Sequence, residues 1–404
     1  MLVLIIFLLS YIGIALGWIP VLTLDRTGIA LLGAIAMMSF GPLSLSDAVH
    51  AIDFSTILLL YALMIISAQL RLSGFYTWVA LKITIFLERP RFFLAVMMTT
   101  SALLSAVLAN DIICLAFTPV LCAVLLRSRL NPVPFLIGLA ISSNIGSAAT
   151  IIGNPQNMLI GQMGELRFGA FLLWCIPPSL LSLGAGYMVV CRIYRNSFIR
   201  DRDKVSIETH QEWPAFNIWQ SSKGIMAVIV LIILFFTDIP REISAIGIAG
   251  ILLCSRKMKS RQIMHLVDWH LITLFFALFI IIQGVTVERI PDIIITTLNQ
   301  RGIELRNTYM LTGISAIMSN LVSNVPATML IIRFLEHGNP VQWYTLAVSS
   351  TFAGNLIVIG SIANLIVIEQ AQNYGITIGF REHARVGVLT TLVSLLILIF
   401  WIMW

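Results

Sequence analysis

The sequence predicts an all-α polytopic membrane protein built from two inverted-topology repeats. Each repeat has a re-entrant hairpin and a broken transmembrane helix, with about 10 crossings plus 2 hairpins in all. Three observations predict this. The 404 residues are 58% hydrophobic and only 11% charged, with mean hydropathy +0.95, whereas soluble domains carry about 25% charged residues. The same succession of motifs runs through the chain twice. In each copy, oily stretches break into uncharged polar residues, most plainly at 143–157, SNIGSAATIIGNPQN.

The elements follow in order. MLVLIIFLLSYIGIALG has neither a positive n-region nor a small-residue cleavage site, so it reads as a retained first helix. Plain spans cover 2–17, 28–41 and 54–70. SGFYTWVALKITIFLE, with Lys82 in its middle, fits an interfacial helix. Two apolar stretches over 92–127 flank a polar tip, Ala109-Asn110-Asp111. A long broken span follows at 133–163, then a plain span at 168–191. The polar stretch 192–223 is too short to bury a core of its own. The organisation is therefore a first repeat over 1–192, a cytoplasmic linker over 193–222 and a second repeat over 223–404. The second half has its own interfacial segment, ERIPDIIITTLNQ, a tip at Ser323-Asn324-Val325-Pro326 within 307–337, a broken span at 341–374 and a plain span at 384–404.

Four pairings carry the repeat. IPVLTLDRTGIALLG pairs with IPREISAIGIAG, and AIDFSTILLLYALMIISAQ with LVDWHLITLFFALFIIIQ. LLSAVLANDIICLAFTPVL pairs with AIMSNLVSNVPATMLIIRFL, which sets Asn110 opposite Asn324. SSNIGSAATIIGNPQNMLIGQ pairs with SSTFAGNLIVIGSIANLIVIEQ, which sets Gly153 opposite Gly360 and Asn157 opposite Asn364. The spacing between partners drifts only slowly, as changes in loop length would make it. A straight helix over either broken span would be about 46 Å long at ~1.5 Å per residue. That exceeds a ~30 Å hydrocarbon core, so an unwound centre is expected.

Charge orients the chain. With each tip-bearing pair re-entrant, each half crosses an odd number of times and the halves are inverted. Placing the linker inside leaves 19 of the 25 Lys and Arg on the inner side and 6 outside, as the positive-inside rule requires. Both termini then lie outside. The net charge of +6 is this topology signal and not a nucleic-acid footprint.

Paired broken helices point to a midplane binding site. A half-helix starting inside the membrane aims free N–H groups and a positive dipole end at its surroundings, which suits an anion. Unwound carbonyls and side-chain oxygens suit Na⁺ or a proton relay. The candidate site residues are Asn110, Asp111, Ser143, Asn144, Thr150, Asn154, Asn157, Ser323, Asn324, Asn355, Ser361 and Asn364. A Na⁺ position is expected near Asn110, Asp111 and Asn324. Ser101, Ser105, Thr312 and Ser315 read instead as helix-packing residues.

Asp111 stands apart, because a carboxylate at membrane depth costs at least ~2.5–3.5 kcal/mol when unpaired. It reads as a coupling-ion ligand or proton carrier, or as a cap for the second hairpin helix. Asp53 and Asp268 read as helix caps. Arg333 snorkels outward or faces an anion. The five cysteines (Cys114, Cys122, Cys175, Cys191, Cys254) read as small buried hydrophobes. The six histidines, His50, His210, His265, His270, His337 and His383, are expected in loops or at span ends.

The motifs resemble the ion transporter superfamily and, within it, the arsenite-permease/NhaD-type antiporter group. ANDIICLAFTPVL is similar to the permease hairpin. SNIGSAATIIGNPQNMLIG is similar to a signature shared with divalent-anion/sodium symporters and the melanocyte P-protein group. SNVPATM and GNLIVIGSIANLIV look like the second-half counterparts. The resemblance implies that both tips and both breaks sit in the site. It also implies a scaffold half, a transport half, a homodimer and elevator-like motion. Pro155-Gln156 stands where members often carry two prolines. Ser323 stands where the antiporters carry an Asp, and Asp111 departs from the Ser-Asn-Thr tips of the dicarboxylate symporters.

The sequence thus points to a secondary transporter of a small anion or oxyacid (arsenite, inorganic anion or dicarboxylate class) coupled to H⁺ or Na⁺, in a bacterial inner membrane. A sodium/proton antiporter is the alternative and a channel-like anion pathway is third. With no HExxH and no Walker lysine motif, neither an intramembrane enzyme nor ATP-driven pumping by this chain alone is indicated. An ATPase partner stays open, and no cofactor beyond the coupling ion is expected.

Overall fold

The structure is a computed structural model that describes residues 2–16, 18–19, 22–199, 213–255, 257–300, 304, 306–336 and 338–404. The first half runs α1 (Leu2–Leu16), strands β1 (Trp18–Ile19) and β2 (Leu22–Asp25), α2 (Arg26–Phe40), α3 (Leu45–Ala51), α4 (Phe54–Leu72), α5 (Phe75–Ile83), α6 (Pro90–Val107), α7 (Asn110–Arg127), α8 (Val133–Ser147), α9 (Pro155–Met163) and α10 (Phe168–Ile193). The second half runs α11 (Ile218–Leu234), α12 (Arg241–Leu253), α13 (Ser260–His265), α14 (Trp269–Val287), α15 (Ile290–Gln300), α16 (Thr308–Val322), α17 (Asn324–Ile332), α18 (Pro340–Ala353), α19 (Ile362–Gln372) and α20 (Phe380–Ile402). The protein is predominantly helical. The departure from an all-α fold is the short antiparallel pair β1–β2, with Trp18 opposite Asp25 and Ile19 opposite Leu22.

Local chemistry sets the helix limits. Asp53 accepts the Thr56 N–H (2.9 Å) and Asp268 accepts the Leu271 N–H (2.9 Å), so both cap their helices as expected. α11 starts at Ile218, inside the stretch expected to be linker. Its polar first turn is buried against α4. Gln69 Nε2 donates to Gln220 Oε1 (2.9 Å), the Ser221 and Ser73 hydroxyls are 2.9 Å apart, and Asn217 caps Gln220 N (3.1 Å). Polar residues that bury one another in this way look like loop when only hydropathy is read.

Packing repeats between the halves. α6 lies on α8 and α16 on α18; α4 lies on α12 and α14 on α2; α7 lies on α19 and α17 on α9. The outward faces are apolar: Leu173, Leu180 and Leu181 on α10 and Leu389, Leu392 and Phe400 on α20 are all exposed. Such a surface requires lipid. Among the described residues, six helices have the length and composition to cross a membrane, and six further apolar helices are shorter. α6 and α7, at 18 residues each, are as long as a full span needs. The second-half arms α16 and α17, at 15 and 9 residues, are not.

The breaks fall where expected. α8 ends at Ser147 and α9 begins at Pro155; α18 ends at Ala353 and α19 begins at Ile362 after a 3-10 turn at Val358–Gly360. Gly146 is required by close approach, since a Cβ there would lie 2.2 Å from the Ala102 carbonyl oxygen of α6. The interfacial candidates form α5 and α15. In α5, Tyr76 and Ala80 are buried and Lys82 lies 5.8 Å from the Trp78 ring centroid.

Candidate functional site

Four helices begin at one place. α7 starts at Asn110, α9 at Pro155, α17 at Asn324 and α19 at Ile362. Their first turns surround a small polar cavity lined by Asn110, Asp111, Pro155, Gln156, Leu271, Ser323, Asn324, Val325, Ser361 and Ile362. Its volume of about 30 Å³ has room for about two water molecules. The lining includes one carboxylate, Asp111, and no Lys, Arg or His. Each helix start carries a partial positive charge, roughly +0.5 of an elementary charge for a full helix dipole, reduced at α9 and α19 by the caps described below. Four converging starts make the cavity electropositive apart from Asp111. That residue lies in the first turn of α7, whose N-cap is Ala109 with no side-chain cap.

The four starts are tied together by amides. Asn110 Nδ2 donates to Asn144 Oδ1 (3.1 Å), and Ser361 Oγ donates to the same oxygen (2.9 Å). Asn144 Nδ2 donates to Asn355 Oδ1 (2.9 Å) and Asn364 Oδ1 (3.2 Å). Asn144, near the end of α8, therefore joins the start of α7 to the second break. With its amide assigned so that nitrogen meets the acceptors around it, Asn324 donates to Ser350 O (3.2 Å) and Gly360 O (3.3 Å).

The two halves build their breaks with the same bonds. Asn157 Nδ2 donates to Ser147 O (3.2 Å) and Thr150 O (2.9 Å). Its partner Asn364 donates to Gly354 O (2.8 Å) and Ile357 O (3.2 Å), which are the matching carbonyls. Asn154 caps α9 by accepting the Asn157 N–H (2.8 Å), and Ser361 caps α19 by accepting the Ala363 N–H (3.2 Å). Ser101 and Ser142 share a hydrogen bond, as Ser315 and Ser349 do at the matching sites, each pair 2.5 Å apart. Carbonyls freed by unwinding need partners when buried, and the paired asparagines supply them.

Of the residues expected in the site, Asn110, Asp111, Ser323, Asn324 and Ser361 line the cavity. Asn144, Asn355 and Asn364 form the amide network beside it. Asn154 and Asn157 brace the first break; Asn154 Nδ2 also donates to Thr351 Oγ1 (3.2 Å) across to α18. Ser143 bonds back to Ala140 O (3.2 Å) and meets Cys114 Sγ (3.0 Å). Thr150 donates to the Ala106 carbonyl of α6. These last two tie helices together and are absent from the lining. Ser323 links α16 to α17 with φ 75° and ψ 159°, a region that costs a non-glycine residue about 1–3 kcal/mol.

Some participants escaped the sequence reading. Gln156 lines the cavity and donates to Thr351 Oγ1 (3.3 Å); its place inside SNIGSAATIIGNPQN was the available signal. His383 lies near the start of α20, as expected of a span end, yet it is buried, and its Nε2 donates to the Asn355 carbonyl (3.2 Å). His210 and His337 lie outside the described residues. Arg333 sits apart from the polar cavity, in an apolar niche with Leu159, Met163 and Phe279. Cys114, Cys122 and Cys175 are buried, but Cys191 is only partly so and Cys254 is exposed just beyond α12, where the apolar run has ended. Among the described residues no cluster of three His, Cys, Asp or Glu could hold a metal ion.

An apolar helical shell around a polar cavity of helix starts defines the class: an integral membrane transporter. A family model described as "Citrate transporter" matches residues 3–353, and the chain belongs to that family. It is similar over nearly its whole length to a membrane protein and to transporters of several organisms. A "46 kDa membrane protein" of Mycobacterium leprae is 28% identical, covering 92% of each chain. The "Silicon efflux transporter LSI3" of Oryza sativa is 26% identical over 93% of this chain and 92% of its own. The "Putative transporter arsB" of Dictyostelium discoideum is 25% identical over 93% of this chain and 87% of its own.

Proposed function

We propose that the protein is a secondary active transporter that moves a small anion or oxyacid, coupled to H⁺ or Na⁺, through the cavity at the four helix starts. The carrying observation is the convergence of the first turns of α7, α9, α17 and α19 on one small polar space. Their dipole ends favour an oxyanion or the oxygens of a hydroxylated acid, while Asn and Ser side chains offer both donors and acceptors. The relatives named for silicon efflux and arsB agree with a small oxyacid. The family description names citrate. A cavity of about 30 Å³ without a basic side chain favours the smaller cargo over a tricarboxylate.

In this reading the halves are inverted repeats, and α6–α7 and α16–α17 are re-entrant hairpins. The doubled hydrogen bonds and the doubled packing of the halves support the repeat. The Lys and Arg bias supports the inversion and a cytoplasmic 193–222 loop, in what we read as a bacterial inner membrane. Asp111 is the carrier of the coupling ion. Protonated, or paired with Na⁺, it no longer opposes an anion; emptied, it repels one. Moving one half past the other as a homodimer subunit would expose the cavity to each side in turn.

One observation favours a second reading. Asp111 is the only acid lining the cavity, and the space is of ionic size, which would also serve a sodium/proton antiporter. Ligand-dependent thermal stabilisation separates the two, because a ligand that binds only the folded state must raise its stability. Purified protein is screened against Na⁺, pH and a panel of oxyacids, oxyanions and dicarboxylates, with Asp111→Asn alongside. Stabilisation by an oxyacid or anion, altered in the variant, supports the transporter of anions. A response to Na⁺ and pH alone, with the whole panel silent, makes it the antiporter.

A further inference from the structure

The short helix α13 joins α12 to α14 and contributes no residue to the cavity lining. Beside it runs a groove of about 520 Å³ lined by Lys259, Arg261, Gln262, Met264 and His265. Lys257 is exposed just before it, and the sequence there reads Arg256-Lys257-Met258-Lys259-Ser260-Arg261. Among the described residues no carboxylate lines the groove, and none of Lys257, Lys259 and Arg261 is ion-paired. Met264 of the groove lining meets Trp269, the first residue of α14. Trp269 is 50% exposed and anchored by its Nε1 donating to Met264 O (3.2 Å). Its ring lies 5.8 Å from that of Tyr61, whose hydroxyl donates to Met264 Sδ (3.0 Å). A half-exposed tryptophan at the mouth of an apolar helix marks the depth of lipid headgroups.

The repeat supplies an internal control. α3 precedes α4 as α13 precedes α14, and His50-Ala51-Ile52-Asp53 matches His265-Leu266-Val267-Asp268. α3 carries no Lys or Arg. Instead Asp47 closes a capping box with Ser44, and the Ser44 hydroxyl and N–H hold its carboxyl below the usual range. The fold can therefore fill this position without cations, and the basic groove is a property of one half only. On the charge bias that groove faces the cytoplasm. A basic cluster directly beside a membrane helix, on that side, attracts anionic headgroups.

We propose that the α13 groove is a binding site for an anionic phospholipid, with Lys259 and Arg261 on the phosphate and Trp269 at the glycerol–acyl boundary. The proposal is independent of the transport substrate.

The test uses the purified full-length protein in nanodiscs of phosphatidylcholine with increasing phosphatidylglycerol, read by thermal stability and by lipid retained in native mass spectrometry. Wild type should retain phosphatidylglycerol over phosphatidylcholine and melt at higher temperature as its fraction rises. Lys259→Gln/Arg261→Gln should weaken retention about 30-fold, from two charges near an anionic surface. It should melt like wild type in pure phosphatidylcholine, which shows that it folds. Lys259→Arg/Arg261→Lys should retain the lipid, and so should Arg127→Gln/Arg192→Gln, which removes two inner-face charges elsewhere. Equal loss in that last variant, or no loss in the first, overturns the proposal. Stabilisation by millimolar inorganic phosphate as large as that by the lipid also overturns it, in favour of a free-anion site.

Discussion

Asn157→Ala should loosen the first break, and Asn364→Ala the second by about half as much. Each asparagine is fully buried and donates two hydrogen bonds to carbonyls released by the unwinding, at 3.2 and 2.9 Å for Asn157 and 2.8 and 3.2 Å for Asn364. Alanine at 157 leaves both carbonyls without a donor, whereas alanine at 364 orphans Gly354 O alone, because Ile357 O keeps the Gly360 N–H (3.0 Å). A buried unsatisfied polar group costs about 1–3 kcal/mol, so two cost about 2–6 kcal/mol. At Asn364, with one carbonyl orphaned, the cost is about 1–3 kcal/mol. These are large shares of a typical stability of about 5–15 kcal/mol, and for a chain of this length they lower Tm by about 2–7 °C at Asn157 and about 1–4 °C at Asn364. Asn157→Asp should be worse than alanine, because it aims lone pairs at the two carbonyls. Thermal unfolding of detergent-purified protein, followed by tryptophan fluorescence, measures all three. If both alanine variants melt within 1 °C of wild type, the clamps do not hold the breaks. If only one is affected, the halves are not built alike.

Three further outcomes follow from the same geometry. Ser323→Gly should raise Tm by releasing a strained positive φ, while Ser323→Ala, which keeps the strain and loses the hydroxyl, should not; opposite shifts would discard the strain. Arg241→Ala removes bonds to Gly161 O (2.7 Å) and Leu166 O (3.1 Å) that pin the end of α9. A cysteine at Gln162 should then label at least several-fold faster with a water-soluble maleimide, and unchanged labelling would mean that α9 is held elsewhere. His383→Gln keeps a donor for the Asn355 carbonyl, whereas His383→Phe abandons it. The Phe variant alone should weaken ligand stabilisation, by about 5-fold or more, and equal behaviour of the two would separate His383 from the site.

Much of this was legible because membrane helices obey few rules. The doubled motifs gave the order of elements, and the broken spans at 133–163 and 341–374 were visible as runs too long and too polar for one straight helix. Asn110, Asp111, Ser323 and Asn324 were readable as tips because they interrupt oily runs. What was not legible depended on direction. Nothing in the spacing tells that Asn157 faces its own carbonyls while Asn110 faces Asn144, or that Ser143 turns to Cys114 and away from the cavity. His383 was passed over because a histidine near a helix end reads as interfacial, and only packing buries it. Polar Gln220 and Ser221 read as loop because their partners, Gln69 and Ser73, are far away in sequence.

The central claim is that the cavity of four helix starts carries a small anion or oxyacid across the membrane at the expense of an ion gradient through Asp111. Uptake into proteoliposomes, with a pH or Na⁺ gradient imposed separately, tests it most directly. The account predicts saturable accumulation of one oxyacid or anion above its equilibrium level with one of the two gradients. Asp111→Asn should abolish that accumulation while the protein remains folded. Sodium–proton exchange with no anion moved, or flux that neither saturates nor depends on a gradient, would contradict it.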